Sequence, residues 1–124
     1  MAVLPSCPVL VVHEDDVFRK ALIAALDREY FTVTFTADGE GAVALLRERR
    51  FEVVVVHVRA TDNGNGGPVA AFLREARARL RCGVIILGEP DPQIREVAAW
   101  ADETLLKPVD AAYVATRART YCTC

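Results

Sequence analysis

Short runs of aliphatic residues alternate along this chain with longer stretches of helical periodicity. The most apolar run is residues 53–56, four consecutive valines that lead through His57 into a loop rich in Gly and Asn. A continuous β-branched run predicts a strand buried on both faces, as in the centre of a parallel sheet. We therefore expect His57 at the carboxyl edge of that sheet, where open α/β folds bind ligands.

The same kind of pattern predicts five strands, each followed by a helix. The other strands are expected at residues 9–12, 32–35, 84–87 and 104–106. Helix starts are marked by capping or N-terminal residues, namely Asp15 or Asp16, Asp38, Pro68, Asp91 with Pro92, and Asp110. This alternation predicts a parallel sheet with right-handed crossovers and helices on both faces, that is, an α/β three-layer sandwich.

The predicted helices carry apolar residues at helical spacing. In the fourth helix, Ile94, Val97, Ala98 and Ala101 are expected to face inward. The 124 residues contain no internal repeat and no linker. We therefore treat residues 1–124 as a single domain whose core extends from about residue 8 to about residue 120.

Composition argues against several classes of function. A net charge of -2 gives no electrostatic reason to bind nucleic acid or a membrane, and no apolar run reaches transmembrane length. No targeting segment is evident, so we expect a cytoplasmic protein. The four cysteines (Cys7, Cys82, Cys122 and Cys124) include no C-x-x-C pair, and we expect free thiols in a reducing compartment.

Several landmarks occur in a fixed order along nearly the whole chain. Residues 10–12 run into an acidic cluster, Ala37-Asp38-Gly39 opens the second helix, and Leu105-Leu106-Lys107-Pro108 follows the fifth strand pattern. With these landmarks, residues 8–120 resemble the receiver domain of bacterial two-component response regulators. The resemblance implies a flavodoxin-like (CheY-like) fold, a five-stranded parallel sheet of order 2-1-3-4-5, and a role in signal transduction.

The family binds Mg²⁺ and phosphoryl groups through carboxylates at the strand ends. By resemblance, the adjacent acids that hold Mg²⁺ become His13 and Glu14, with Asp15 next along the chain, and the aspartate nucleophile becomes His57. Mg²⁺ is a hard cation that requires oxygen ligands, so imidazoles at these positions should weaken its binding severely. An acyl phosphate, which needs a carboxylate nucleophile, cannot form on a histidine.

The parts that transmit phosphorylation in the family are also altered. By resemblance, the switch hydroxyl becomes Gly88 and the rotating aromatic becomes Thr104, whereas the lysine is retained as Lys107. Glycine has no hydroxyl to move and threonine has no ring to rotate. We therefore expect a degenerate receiver domain, or pseudo-receiver, that is not phosphorylated, is not an enzyme and uses no cofactor.

The favoured hypothesis is a protein-interaction module that acts without phosphorylation. In the family, partners usually contact the face built from the fourth helix, the fifth strand and the fifth helix. The corresponding residues here are Arg95, Trp100, Thr104, Tyr113 and Arg117. Trp100 stands where the family usually has glycine, so it is either an aromatic anchor for a partner or an indole folded onto the sheet edge. We expect a protein partner in a signalling pathway, neither nucleic acid nor membrane, and homodimer formation stays open.

Two other hypotheses use the same pocket. His13, Glu14 or Asp15, and His57 suit Zn²⁺, Ni²⁺ or Fe²⁺ better than Mg²⁺, which would make the domain a metal-responsive sensor. His57 titrates near neutral pH and would alternatively serve as a pH switch. Lys107 opposes both a metal cation and an imidazolium, and histidines that hydrogen-bond to Glu14 or to backbone are the simpler expectation. No motif supports an enzyme or a flavin-binding protein.

Overall fold

Five strands and five helices alternate in the computed structural model, which describes residues 6–58, 67–90 and 94–122, the side chains of residues 67, 68 and 77–79 excepted. The strands are β1 (Cys7–Val12), β2 (Phe31–Thr36), β3 (Val53–Val58), β4 (Gly83–Gly88) and β5 (Glu103–Leu106). The helices are α1 (Asp16–Arg28), α2 (Gly39–Glu48), α3 (Gly67–Leu80), α4 (Ile94–Ala98) and α5 (Ala111–Arg119). Every predicted strand is present.

The strands pair in parallel in the order β2-β1-β3-β4-β5. In this register Val9 of β1 is aligned with Val33 of β2 on one side and with Val53 of β3 on the other. Near the carboxyl end of β3, His57 is aligned with Leu87 of β4. The sheet order and the flanking helices confirm the predicted flavodoxin-like fold.

The valine run of β3 separates two apolar layers. Val53 and Val55 face a cluster that includes residues of α1 and α5, whereas Val54 and Val56 face a cluster that includes residues of α2, α3 and α4. The alternation follows from the period of two residues along a strand. All four valines are completely buried, and full burial of such a side chain stabilises the fold by roughly 1.5–3 kcal/mol.

Aspartate caps begin three of the helices. The Asp15 side chain accepts hydrogen bonds from the backbone N–H groups of Val17 and Phe18, and Asp38 and Asp110 cap α2 and α5 in the same way. These caps agree with the sequence predictions. The fourth helix was predicted to start at Asp91 and Pro92, and these two residues lie outside the described residues.

Helix α4 differs from its prediction. It spans five residues, and Ala98, predicted to face inward, is exposed. The cause is the early end of the helix: the backbone N–H of Trp100 donates to the carbonyl of Val97, which turns the chain after little more than one helical turn. Val97 is buried, as predicted.

The cysteine prediction is wrong for one pair. Cys7 and Cys122 form a disulfide that spans 115 residues of sequence, with their Cα atoms 6.1 Å apart. Cys82 is a buried thiol, and Cys124 lies outside the described residues. Spacing rules detect only local cysteine pairs, whereas here the fold brings the start of β1 next to the turn that follows α5.

Trp100 adopts an ordinary backbone conformation. Among the described non-glycine residues, positive φ angles occur at Tyr30 and Arg81, so Trp100 does not adopt the left-handed backbone that a glycine at this position would allow. Its indole packs against the apolar cluster below α3 and α4. It lines a groove there with Ala70 and Ala71 of α3.

The polar loop predicted over residues 59–67 lies outside the described residues except for Gly67, which begins α3. None of the helices in the described ranges is both long enough and apolar enough to cross a membrane.

Candidate functional site

Three strands deliver the side chains of the candidate site to one edge of the sheet. His13 and Glu14 directly follow β1, His57 is the penultimate residue of β3, and Lys107 directly follows β5. Because the strands are parallel, these positions share the carboxyl edge of the sheet. The structure brings all four side chains together, as the family resemblance implies.

The two histidines form a stacked pair. The imidazole rings of His13 and His57 lie with their centroids 4.2 Å apart and their planes within 8° of each other. His13 is 1% exposed and is the one buried polar residue among those described. The Oε1 atom of Glu14 lies 2.7 Å from Nδ1 of His57. This contact fixes a tautomer in which His57 Nδ1–H donates to the carboxylate.

The opposite nitrogen of His57 is left without a partner. With the proton on Nδ1, Nε2 carries a lone pair, and this atom is buried with no hydrogen-bond partner among the described residues. Buried polar atoms are normally hydrogen-bonded, and leaving one unpaired costs roughly 1–3 kcal/mol. The stack therefore holds an accepting nitrogen at a position that no donor of the described residues reaches.

His13 has the converse problem of too many donors. The backbone N–H of Asp15 donates to Nδ1 at 3.0 Å, and the ammonium nitrogen of Lys107 lies 3.2 Å from Nε2. A neutral imidazole offers a single lone pair, and an imidazolium offers none. Protonation of His13 would thus set an N–H group against a donor on both sides of the ring.

The electrostatics of the site favour neutral histidines. Burial lowers the pKa of His13 from 6.5 to about 4, and the charges of His57 and Lys107 act in the same direction. Burial also lowers the pKa of His57, against the opposing effect of the Glu14 carboxylate and with the support of Lys107. Burial alone would raise the pKa of Glu14, but its own backbone N–H and the two histidines outweigh that effect and lower it.

Phe18, in the first turn of α1, also belongs to the site. Its ring lies 5.0 Å from the His13 ring, and Lys107 Nζ lies 5.2 Å from its centroid. A cation over an aromatic face is favourable by roughly 0.5–2 kcal/mol. The sequence signal was available, because the first turn of α1 directly follows the polar cluster at the end of β1.

The space at Gly88 is already filled. A Cβ atom at Gly88 would lie 2.4 Å from Cδ1 of Ile94, so α4 occupies the position that a larger side chain would need. Thr104 is half-buried in β5, aligned with Ile86 of β4. Gly88 has no hydroxyl that could move toward a phosphoryl group, and Thr104 has no ring that could rotate.

The donor set does not fit Mg²⁺. One ligand atom each from His13, Glu14 and His57 lies within 4.8 Å of the others. Two of these donors are imidazole nitrogens, whereas Mg²⁺ requires octahedral oxygen coordination. The Lys107 ammonium beside His13 further disfavours a hard cation at this position.

The predicted partner residues fall into two areas. Arg95 is exposed on α4, and Trp100 turns toward α3. Tyr113 is 51% exposed on α5, and Arg117 of the same helix makes a bidentate ion pair with Glu103 of β5.

Comparison with known proteins agrees with this architecture. No protein-family model matches the chain. The transcriptional regulatory protein CseB of Streptomyces avermitilis is 32% identical over 114 residues, which make up 90% of this chain and 47% of CseB. The chain thus spans about half the length of the curated relatives it matches.

Solved structures share the fold at lower identity. The chemotaxis protein CheY4 of Vibrio cholerae superposes with a TM-score of 0.78 at 20% identity, covering 94% of this chain and 99% of CheY4. HP1043, an orphan response regulator of H. pylori, superposes with a TM-score of 0.74 at 18% identity, covering 94% of this chain and 96% of that one. The fold and these matches identify the chain as a receiver-type domain of the bacterial response regulators.

Gly88→Ala should destabilise the domain by at most about 1 kcal/mol, because the new methyl group meets only the terminal methyl group of Ile94, which can rotate away. In an Ile94→Ala background this cost should disappear. Urea unfolding of the four proteins of this double-mutant cycle measures the coupling. Equal costs in both backgrounds would show that Ile94 does not fill the space at Gly88.

The free energy of unfolding should fall as the pH is lowered from 6.5 toward about 4. In this range the unfolded chain binds a proton at His13 that the folded domain rejects, so the stabilising contribution of neutral His13 is complete above the range and lost below it. At roughly 1.4 kcal/mol for each pKa unit, the loss is up to about 3 kcal/mol. His13→Asn should flatten this part of the profile in urea unfolding at several pH values. Parallel profiles for the two proteins would contradict a neutral buried His13.

Proposed function

We propose that this domain is a pseudo-receiver, which acts in a signalling pathway by binding a protein partner and does so without being phosphorylated. For this receiver-type domain, the proposal thus concerns how its pocket and its exposed surface behave. The site carries no catalysis in this proposal and uses no cofactor. The domain is proposed to work in the cytoplasm, as the receiver domains that it resembles do.

One observation carries the proposal: imidazole side chains fill the pocket where the family has carboxylates. The imidazole of His57 stands where a phosphorylatable carboxylate would be, is hydrogen-bonded to Glu14 at 2.7 Å, and is stacked on buried His13. Lys107, which would pair with a phosphoryl oxygen, instead lies 3.2 Å from His13 Nε2. A phosphoryl group would therefore find no nucleophilic carboxylate and no Mg²⁺ site.

The exposed surface supports a protein partner. Tyr113 and Leu106 are 51% and 48% exposed, and both belong to the region of β5 and α5 where the resemblance places partner contacts. A partly apolar area with Arg117 beside it has the composition typical of protein-binding hot spots.

Treatment of the purified protein with acetyl phosphate and Mg²⁺ should leave its mass and its backbone amide NMR spectrum unchanged. The matched control is the double variant His13→Asp/His57→Asp, which restores two carboxylates to the pocket. It should bind Mg²⁺ and show chemical-shift changes near residues 13, 57 and 107.

The outcome against the proposal is a labile phosphoryl group on the natural chain, accompanied by amide shifts on β5 and α5. A natural chain that responds to Mg²⁺ and acetyl phosphate as the double variant does would also contradict it, because both results require a working phosphorylation pocket.

A metal-responsive sensor is a second candidate, favoured by the proximity of the ligand atoms of His13, Glu14 and His57 within 4.8 Å. The unpartnered lone pair on His57 Nε2 adds a donor suited to Zn²⁺. The near-parallel rings oppose this candidate, since lone pairs in two parallel planes do not converge on one ion. A metal would therefore have to rotate one ring and displace Lys107.

Titration with Co²⁺, followed by visible absorption, distinguishes the two candidates. The interaction module predicts no saturable absorption band at micromolar Co²⁺. A sensor predicts a tetrahedral band that His57→Gln abolishes and that Lys107→Gln strengthens, because the glutamine removes the opposing positive charge.

A further inference from the structure

A second reactive group lies at the edge of the sheet opposite the histidine pocket. The disulfide joins Cys7, the first residue of β1, to Cys122, which follows α5. The pocket histidines lie at the carboxyl ends of β1 and β3, so the whole length of the sheet separates them from the disulfide. Any chemistry at this disulfide is therefore independent of the pocket.

Tyr121, the neighbour of Cys122, is wedged against the sheet. Its hydroxyl donates to Oε1 of Glu103 at 2.7 Å. Its Cβ lies only 2.4 Å from the position that a Cβ on Gly83 would occupy, so the tyrosine lies directly on the backbone at the start of β4. The disulfide fixes Cys122, the residue that follows Tyr121, and so helps to keep the tyrosine side chain in this position.

Glu103 connects the Tyr121 side chain to Arg117 on the surface of α5. Its Oε2 accepts a hydrogen bond from Arg117 Nε at 2.6 Å, and its Oε1 accepts from Arg117 Nη2 at 2.8 Å as well as from Tyr121. Arg117 is thus held by a carboxylate that Tyr121 also orients. Because Arg117 belongs to the area proposed for partner binding, the position of Tyr121 bears directly on that area.

We propose that Cys7 and Cys122 form a reversible thiol–disulfide exchange site whose redox state sets the conformation of the Glu103–Arg117–Tyr121 cluster. The chemistry and the conformational change stand independently of the proposed function; only their meaning for partner binding rests on it. In a reducing compartment a protein disulfide is usually of this transient, redox-sensing kind.

The exposure of the two sulfur-bearing residues sets the direction of attack. Cys7 is 1% exposed, whereas Cys122 is partly exposed. A thiolate of a dithiol reductant therefore attacks Cys122 Sγ, forming a mixed disulfide there, while the Cys7–Cys122 bond breaks and Cys7 leaves with the electron pair and takes up a proton. The second thiol of the reductant then attacks the reductant sulfur that is bound to Cys122, and Cys122 leaves as a thiol. The protein disulfide is reduced to two thiols and the dithiol is oxidised to its disulfide.

Reduction removes the covalent restraint on the turn after α5. Backbone hydrogen bonds still hold this turn, from the N–H of Tyr121 to the carbonyl of Ala118 and from the N–H of Cys122 to the carbonyl of Arg119. These bonds connect the turn to α5, and Tyr121 and Cys122 also pack against the apolar cluster on that face of the sheet. Without the disulfide only non-covalent contacts hold Tyr121 against Glu103 and Gly83, so the Glu103–Arg117–Tyr121 cluster is held less firmly in the reduced domain.

The full chain is equilibrated in buffers of graded dithiothreitol redox ratio and followed by alkylation with mass mapping and by amide NMR. We expect one two-electron transition that involves Cys7 and Cys122 together. The amides of Gly83, Glu103 and Arg117 should shift with it, while those of His13 and His57 stay in place.

Three variants make the test specific. Cys122→Ser should give the reduced-state spectrum in every buffer, and the control Cys82→Ala should leave the transition unchanged. Tyr121→Phe keeps the disulfide and removes the hydroxyl, so its transition should persist while the shifts at Glu103 and Arg117 shrink. Both the site and its coupling would be overturned by three results: no disulfide in oxidising buffer, shifts limited to the cysteines and their immediate neighbours, or shifts throughout the domain.

Discussion

The stack of His13 on His57 is the interaction on which the behaviour of the pocket depends. Both rings are held by the segment that follows β1: His57 by the carboxylate of Glu14 and His13 by the backbone N–H of Asp15. The stack requires both rings to be neutral, because two adjacent imidazolium ions beside the Lys107 ammonium would repel one another. Burial supplies this condition by lowering the pKa of both histidines. The two rings are therefore neutral and held in place, although His57 Nε2 has no hydrogen-bond partner among the described residues.

The sheet and helices around the stack follow from hydrophobic periodicity and chain connectivity, and most of them could be predicted. The four valines of β3 indicated a central strand, the strand–helix alternation indicated a parallel sheet, and the family resemblance implied the sheet order that is observed. Parallel strands present their carboxyl ends at one edge, so the meeting of His13, His57 and Lys107 followed from their places in the sequence. These predictions succeeded because hydrophobic period and chain connectivity act along the sequence.

The features that were not predicted depend on side chains from distant elements. Ile94 fills the space at Gly88, a contact that leaves no pattern in the sequence. Phe18 lies against both His13 and Lys107, and the sequence indicates this only through its place just after the polar cluster that ends β1. The Cys7–Cys122 disulfide was not predicted for the same reason, since its two cysteines are 115 residues apart in the sequence. The early end of α4 was missed because apolar spacing continues past Ala98 although the helix does not.

The account's central claim is that neutral, stacked imidazoles occupy the place of a phosphorylation site. The most direct measurement is the nitrogen chemical shifts of the two histidine side chains at neutral pH, with and without Mg²⁺ and beryllofluoride. The account predicts a protonated Nδ1 and an unprotonated Nε2 on His57, a neutral His13, and no change on addition of either reagent. An imidazolium signal from either ring, or a shift of both rings with Mg²⁺ and beryllofluoride together, would contradict it.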